Sequence, residues 1–275
     1  MDRVAHNLTS GFHFRSVCFF PENFVEERLY DKITYPFSAE EEIILSQDFS
    51  FLSKGRQIFA FESSDGKYVL KIVNQNKYTQ SFYYLLLDKL YCLLPYQKKR
   101  MSEKQQRKER AYDSYNLVDR SLKDNTATIS FYMDHSIYYD KSINLRDSAG
   151  RLFKIDMDKV DCFIQKKAPL LEGALDECFT YNDFPRLKII IGQFLQLCVD
   201  RTQQKIWNRD PRTRLNNFGY INGQVVEFDI GAYFIDDPSM NLDLELNRYK
   251  NTIRNYLIRN KVENSVIKEL LNENF

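Results

Sequence analysis

The order of strand-like and helix-like text in this chain predicts an α+β fold, a β-rich half followed by a helical half, with the join near Gln165 to Ala168. Two observations carry that expectation. Between Phe49 and Val73 three apolar runs, Phe49-Ser50-Phe51-Leu52, Ile58-Phe59-Ala60-Phe61 and Tyr68-Val69-Leu70-Lys71-Ile72-Val73, are separated by Ser53-Lys54-Gly55-Arg56-Gln57 and by Ser63-Ser64-Asp65-Gly66. An Asp-Gly dipeptide between apolar runs is a strong hairpin signal, so three consecutive antiparallel strands are expected. From Phe184 to Ile206, by contrast, Leu187, Ile190, Ile191, Phe194, Leu195, Leu197 and Cys198 recur at helical spacing and give a broad apolar face.

The other elements follow in order. Residues 1 to 37 show no clean period and read as an irregular extension. Ser38 with Glu41 three residues on spells a capping box for a short helix through Leu45. A charged helix is expected over 102 to 122, then strands at Thr128 to Met133, Leu152 to Ile155 and Cys162 to Ile164. Strands Phe218 to Ile221 and Val225 to Phe228, joined by Asn222-Gly223, interrupt the helical half, and Leu242, Leu246, Tyr249, Ile253 and Leu257 mark a later helix. The expected divisions are an extension over 1–44, a β-rich part over 45–164 with an insertion near 74–101, and a helical part over 165–275.

At 275 residues the chain is long enough for one large domain or two lobes. Its 39 Lys and Arg nearly cancel 38 Asp and Glu, which argues against nucleic-acid binding by bulk charge. Hydrophobic residues at 43%, with 21 Phe and 18 Tyr, describe a chain that folds alone. The five cysteines are scattered and never form a CxxC pair, so neither a disulfide framework nor a zinc site is expected, and a reducing cytoplasm fits. No secretory signal is read in Met1 to Gly11. The longest apolar run, Phe82 to Leu87, is far short of the ~20 residues of a spanning helix.

Three groups of residues stand out chemically. Lys71 is flanked by apolar strand residues, where an ammonium must either snorkel to solvent from an edge strand or meet anions. Asn208-Arg209-Asp210-Pro211 lies between the long helix and the short hairpin, with Asn216-Asn217 just before the strand Phe218 to Ile221. Asp229-Ile230-Gly231 ends the hairpin. Taken singly, these also read as a turn, a strand cap and a strand end; their joint order is what a chance arrangement leaves unexplained.

In that order, and in Lys54-Gly55-Arg56-Gln57, Asp65-Gly66-Lys67-Tyr68-Val69-Leu70-Lys71, Arg209-Asp210-Pro211 and Asn217-Phe218-Gly219-Tyr220, the chain resembles the protein-kinase-like superfamily over about residues 45 to 260. It is most similar there to uncharacterised atypical kinase-like proteins of intracellular bacteria. The resemblance implies a two-lobed fold with a β-rich N-lobe and a short helical C-lobe, in the bacterial cytosol or that of a host. It implies an ATP- and magnesium-dependent phosphotransferase with an unknown acceptor, small molecule or protein. The alternative is a pseudokinase that binds nucleotide or a partner as a scaffold. In the active reading Lys71 pairs with phosphates, Asp210 is the base, and Asp229 and Asn217 hold the metal. Gly55 lies in the phosphate-covering turn, Glu109 is the helix partner of Lys71 with Asp113 as a poorer choice, and Gln165, Lys166 and Lys167 form the adenine-binding hinge.

Several positions depart from that pattern. Only Gly55 remains of the glycine loop, and Asn208 stands where a histidine is usual. The step from Asp210 is seven residues to Asn217 and six to Asn216, against about five in the loops it resembles. Asn217 is preferred because it directly precedes a strand. No Ala-Pro-Glu text follows Gly231, so a peptide-docking segment is expected to be missing. Residues 81 to 110 pass from apolar to basic, which makes them a candidate for peripheral membrane or protein contact, or else ordinary core followed by a solvated helix face.

Overall fold

A computed structural model describes residues 9–12, 14–18, 33–78, 95–235 and 240–271. In chain order these form helix α1 (Phe14–Val17), strand β1 (Ile33–Thr34), helix α2 (Ala39–Leu45) and strands β2 (Asp48–Lys54), β3 (Ile58–Ser63) and β4 (Tyr68–Val73). Helix α3 (Pro95–Leu117) continues through a π-helical turn (Val118–Leu122) into α4 (Lys123–Thr126). Strands β5 (Thr128–Tyr132), β6 (Ile137–Tyr138), β7 (Ser142–Arg146), β8 (Leu152–Asp156) and β9 (Cys162–Lys166) follow, then helices α5 (Leu171–Thr180) and α6 (Phe184–Gln203). Strands β10 (Ile206–Asn208), β11 (Phe218–Ile221), β12 (Gln224–Glu227) and β13 (Tyr233–Ile235) precede helices α7 (Leu242–Arg259) and α8 (Asn264–Leu270). The class is α+β. The chain divides into two compact units, 1–108 with 129–167 and 109–128 with 168–275.

The first unit is built on a seven-stranded sheet in the order β5-β9-β4-β3-β2-β7-β8. The three strands expected between Phe49 and Val73 are antiparallel neighbours, with Phe51 opposite Phe61 and Ala60 opposite Lys71. The second turn closes because Gly66 takes a φ of +70°, a region that L side chains rarely adopt. Ser63 supports it, donating its hydroxyl to Asp65 Oδ1 at 2.6 Å and accepting the Tyr68 N–H at 3.0 Å. Phe59, Phe61, Leu70, Ile72, Ile143, Leu145 and Ile164 form the core of this unit. Phe12 packs edge-on against Phe59 at 5.3 Å and Phe61 at 5.1 Å. Part of the segment read as irregular is therefore anchored by its own apolar side chains.

Helix α2 begins as its text suggests. The Ser38 hydroxyl accepts the Glu41 N–H at 3.2 Å, and the Glu41 carboxylate accepts the Ser38 N–H at 2.8 Å. Glu41 is buried and also accepts from the Tyr35 hydroxyl at 3.1 Å and the Tyr132 hydroxyl at 2.9 Å.

In the second unit, α5 to α8 close over Leu175, Leu187, Ile190, Ile191, Phe194, Leu246, Ile253 and Leu257. Helix α6 stops at Gln203, short of the expected Ile206, because Lys205 turns left-handed (φ 57°) and Ile206 opens β10. The β11/β12 hairpin turns at Asn222 (φ 50°) and Gly223 (φ 79°), the pair of positive φ values that a two-residue hairpin loop needs. Helix α3 starts earlier than expected, at Pro95, whose fixed φ suits a first helical turn. The apolar half of the candidate contact segment, 81–94 with Cys92, lies outside the described residues. No helix among the described residues is long and apolar enough to cross a membrane.

Candidate functional site

In the sheet unit, Lys71 sits in the middle of β4, between β3 and β9. The strand is interior, so an edge-strand lysine is excluded. Its neighbours Leu70 and Ile72 are fully buried on the opposite face, while Lys71 is half-buried with Nζ 5.8 Å from the centroid of the Phe163 ring, its partner across the ladder. Phe163 stacks in turn on Phe131 at 5.1 Å. Gln165 is buried opposite Val69, and Lys166 is exposed opposite Tyr68. The Lys167 N–H donates to the Lys67 carbonyl at 2.7 Å, and Lys167 Nζ pairs with Glu62 at 2.5 Å. An adenine bond to the Lys167 amide would displace the first of these. Gly55 has no left-handed φ, and an added Cβ would meet only the Ile58 carbonyl at 3.6 Å, so its backbone does not demand glycine.

In the helical unit the expected loop and turn are linked by a short network. Strand β10 pairs antiparallel with β13, Asn208 opposite Tyr233, which brings the segments on either side of the hairpin together. The Arg209 N–H donates to the Ala232 carbonyl at 2.9 Å. Asn208 works in two directions: its Oδ1 accepts the Asp210 N–H at 2.9 Å and its Nδ2 donates to Glu227 at 3.2 Å. Asp210 Oδ1 accepts the Arg212 N–H at 2.9 Å, and Oδ2 has no protein hydrogen bond among the described residues. Asn217 Nδ2 lies 3.4 Å from Asp229 Oδ2, and the Phe228 N–H donates to the Asn217 carbonyl at 2.7 Å. Asn217, rather than Asn216, is thus the asparagine next to the exposed Asp229 carboxylate. Ser114 on α3 holds the turn after Asp229, donating to the Ile230 carbonyl and accepting the Tyr233 N–H at 2.8 Å. Glu109 and Asp113 are exposed on the same helix.

Beneath this loop lies a buried cluster that sequence reasoning missed. Arg201 on α6 pairs with Glu245 on α7 at 2.8 Å, with both side chains almost wholly buried. Arg248 donates to Glu245 at 3.0 Å and to the Asn208 carbonyl at 3.4 Å, and the Tyr249 hydroxyl donates to Glu227 at 3.2 Å. Burial works against the Arg201 charge, but Tyr249, Glu227, Tyr233 and Glu245 outweigh it and keep the guanidinium protonated. The signal was present in the text. Arg201 follows Cys198 by three residues, and Glu245 follows Leu242 by three, so each charge stands where helical periodicity puts the apolar face. The hairpin is close-packed as well: a Cβ on Gly219 would come within 2.3 Å of the Phe228 ring and 2.8 Å of Ala168 Cβ.

Among the described residues no three His, Cys, Asp or Glu side chains gather as a metal-holding group. The Asn217 and Asp229 pair nonetheless fits a small hard cation. It offers a carboxylate, and an amide whose oxygen faces the site when the amide is turned over, and magnesium keeps waters and substrate phosphates for its remaining positions.

No family model matches the chain, and no curated protein does. Among solved structures it is similar to the Legionella pneumophila LegK7 effector kinase at 16% identity and a TM-score of 0.25, over 55% of this chain and 41% of that one. The chain therefore spans less than half the length of that structure. It is also similar to the amicoumacin kinase hAmiN in complex with AMP-PNP, Ca2+ and Ami, at 12% identity and a TM-score of 0.25, over 92% of this chain and 83% of that one.

Proposed function

We propose that the chain is a kinase-like phosphotransferase that takes a phosphoryl group from ATP, with magnesium, to a hydroxyl. One observation supports this above the others. Within one compact unit, Asp210 follows β10, the β11/β12 hairpin follows the loop, and Asp229 leads into β13, which pairs back on β10 with the Asn217 amide against the Asp229 carboxylate. In this reading the acceptor oxygen bonds to the γ-phosphorus as the bond from that phosphorus to the β–γ bridging oxygen breaks. ADP leaves with the electron pair, and the hydroxyl proton passes to Asp210 through its unengaged Oδ2. Asn208 positions Asp210 by its backbone. Asp229 and Asn217 hold the magnesium, which supplies positive charge to the phosphate oxygens. Lys71 pairs with the phosphates and Glu109 orients Lys71, while Gln165, Lys166 and Lys167 contribute the adenine side and Gly55 belongs to the turn over the phosphates.

The test is thermal unfolding with ATP and magnesium. Ligand at about a hundredfold its Kd adds ~2.7 kcal/mol to the folded state, so the melting temperature rises. Asp229→Asn removes the metal-dependent part of that rise. Asp210→Asn keeps the rise and loses phosphoryl transfer. An unchanged melting curve at millimolar nucleotide excludes nucleotide binding, and a rise with no transfer from the wild type to any hydroxyl or to water leaves a nucleotide-binding scaffold.

A further inference from the structure

The stretch from Arg209 to Arg214 carries three arginines and one carboxylate, Asp210, in a chain whose net charge is +1. All three arginines are exposed. Arg209 lies over the Phe234 ring at 4.5 Å; burial and the nearby Arg110 cation lower its pKa, with Asp113 acting the other way. Among the described residues no ion pair engages Arg212 or Arg214.

The backbone beneath them is pinned at several points. The Arg212 N–H is bonded to Asp210 Oδ1 at 2.9 Å, the Thr213 carbonyl accepts the Thr252 hydroxyl of α7 at 3.0 Å, and the Arg214 carbonyl accepts the Asn217 N–H at 3.0 Å. Leu215 is buried in the helical core just beyond. The two arginines therefore leave a fixed backbone beside the Asp210 carboxylate with their guanidinium groups unspent. Planar forks of this kind match phosphate oxygens two at a time, which a lysine ammonium does not.

We propose that Arg212 and Arg214 bind a phosphate group carried by the acceptor, which makes the acceptor a small phosphorylated compound bearing the hydroxyl that Asp210 deprotonates. The hydroxyl part rests on the phosphotransferase reading above; the phosphate part rests on the loop alone. Nucleotide phosphates belong, in the same reading, to Lys71 and to the metal on Asp229 and Asn217.

The experiment is calorimetric titration of the full chain with inorganic pyrophosphate in EDTA at constant ionic strength, for the wild type and for Arg212→Ser with Arg214→Ser. Both positions are exposed, so the variant folds. Pyrophosphate binds the wild type, and the double substitution weakens it by about tenfold, while ATP with magnesium binds both proteins alike. Equal pyrophosphate affinity in the two proteins, or no binding to the wild type, overturns the proposal. A double variant that loses ATP as strongly as pyrophosphate overturns it too, because the arginines then serve the nucleotide. Arginine-dependent pyrophosphate binding in a wild type that ignores ATP keeps the phosphate site and removes the phosphotransferase reading.

Discussion

Glu41 in the sheet unit and Glu227 in the helical unit are both buried carboxylates, and their surroundings drive them in opposite directions. Burial alone raises either one. Around Glu41, hydrogen bonds from Ser130, Ser38 and Tyr132 outweigh that and hold its pKa down at about 2. Around Glu227, burial dominates: Arg201, Tyr233 and Tyr249 lower the pKa, but Asp229 two residues away raises it further, and the group is pushed up to about 7. The difference lies in how many donors each carboxylate has to itself. Glu41 collects hydroxyls and a backbone N–H that serve it directly, and it ties α2 to β5. Glu227 shares its one cation, Arg201, with Glu245 and faces a like charge in the candidate site. One carboxylate is a fastener, and the other carries the kind of perturbation that gathers where chemistry is done.

The largest effect is expected at the shared cation, Arg201. Glu245→Ala leaves the Arg201 guanidinium buried without its closest anion, and loss of one partner of a buried pair costs about 3–5 kcal/mol. Urea unfolding followed by circular dichroism measures it; a loss below ~1 kcal/mol means that Glu227 takes over the pairing and the two units are less different than described.

Glu41→Gln is the next largest, at about 1–3 kcal/mol, because several hydrogen bonds lose the charge that strengthens them. Its pH dependence has a definite sign. The folded pKa of Glu41 is lowered from 4.5 to about 2, so its stabilisation is present above the ordinary carboxylate pKa and is lost as pH falls through that window. Thermal melts between pH 6 and pH 3, at roughly half-unit steps, therefore show the wild type losing more stability than the Gln variant. Parallel curves remove Glu41 as the acid-sensitive fastener.

Glu227→Gln acts in the opposite sense: it leaves stability little changed at acid pH and raises it near neutral pH, where the wild type carries the cost of ionising a buried carboxylate. Glu227 is already half-way to the neutral form there, and an amide of the same shape still accepts from Tyr249. With the folded pKa raised, the folded state keeps a proton that the unfolded chain releases near 4.5, so this group costs stability as pH rises from there through about 7. The Gln variant lacks that decline, and melting temperatures over the same range read it directly.

The parts legible in the sequence are those set by a few neighbouring residues. Ser38 with Glu41, Asp65-Gly66 and Asn222-Gly223 each fix a turn or a helix start through their own backbone chemistry, and all three occur where expected. Of the two asparagines the loop offers, Asn217 is preferred because it precedes a strand, and it is the one beside Asp229. Pairings between distant residues were illegible. Arg201 meets Glu245 across 44 positions and Ser114 meets Ile230 across 116; a charge on an apolar helix face can be read locally, but its distant partner cannot. Gly55 shows the converse hazard, a glycine that invites a special role although its backbone would accept a side chain.

The pairing of β10 with β13 has one further consequence. The chain contains a single tryptophan, Trp207, which lies buried on β10 opposite Phe234 and next to Asn208. Its indole is thus an intrinsic optical reporter built into the strand that leads to Asp210, excited apart from the many tyrosines at the red edge of the absorption band. Anything that rearranges that strand changes the colour or intensity of the light this protein emits, so the candidate site carries its own label.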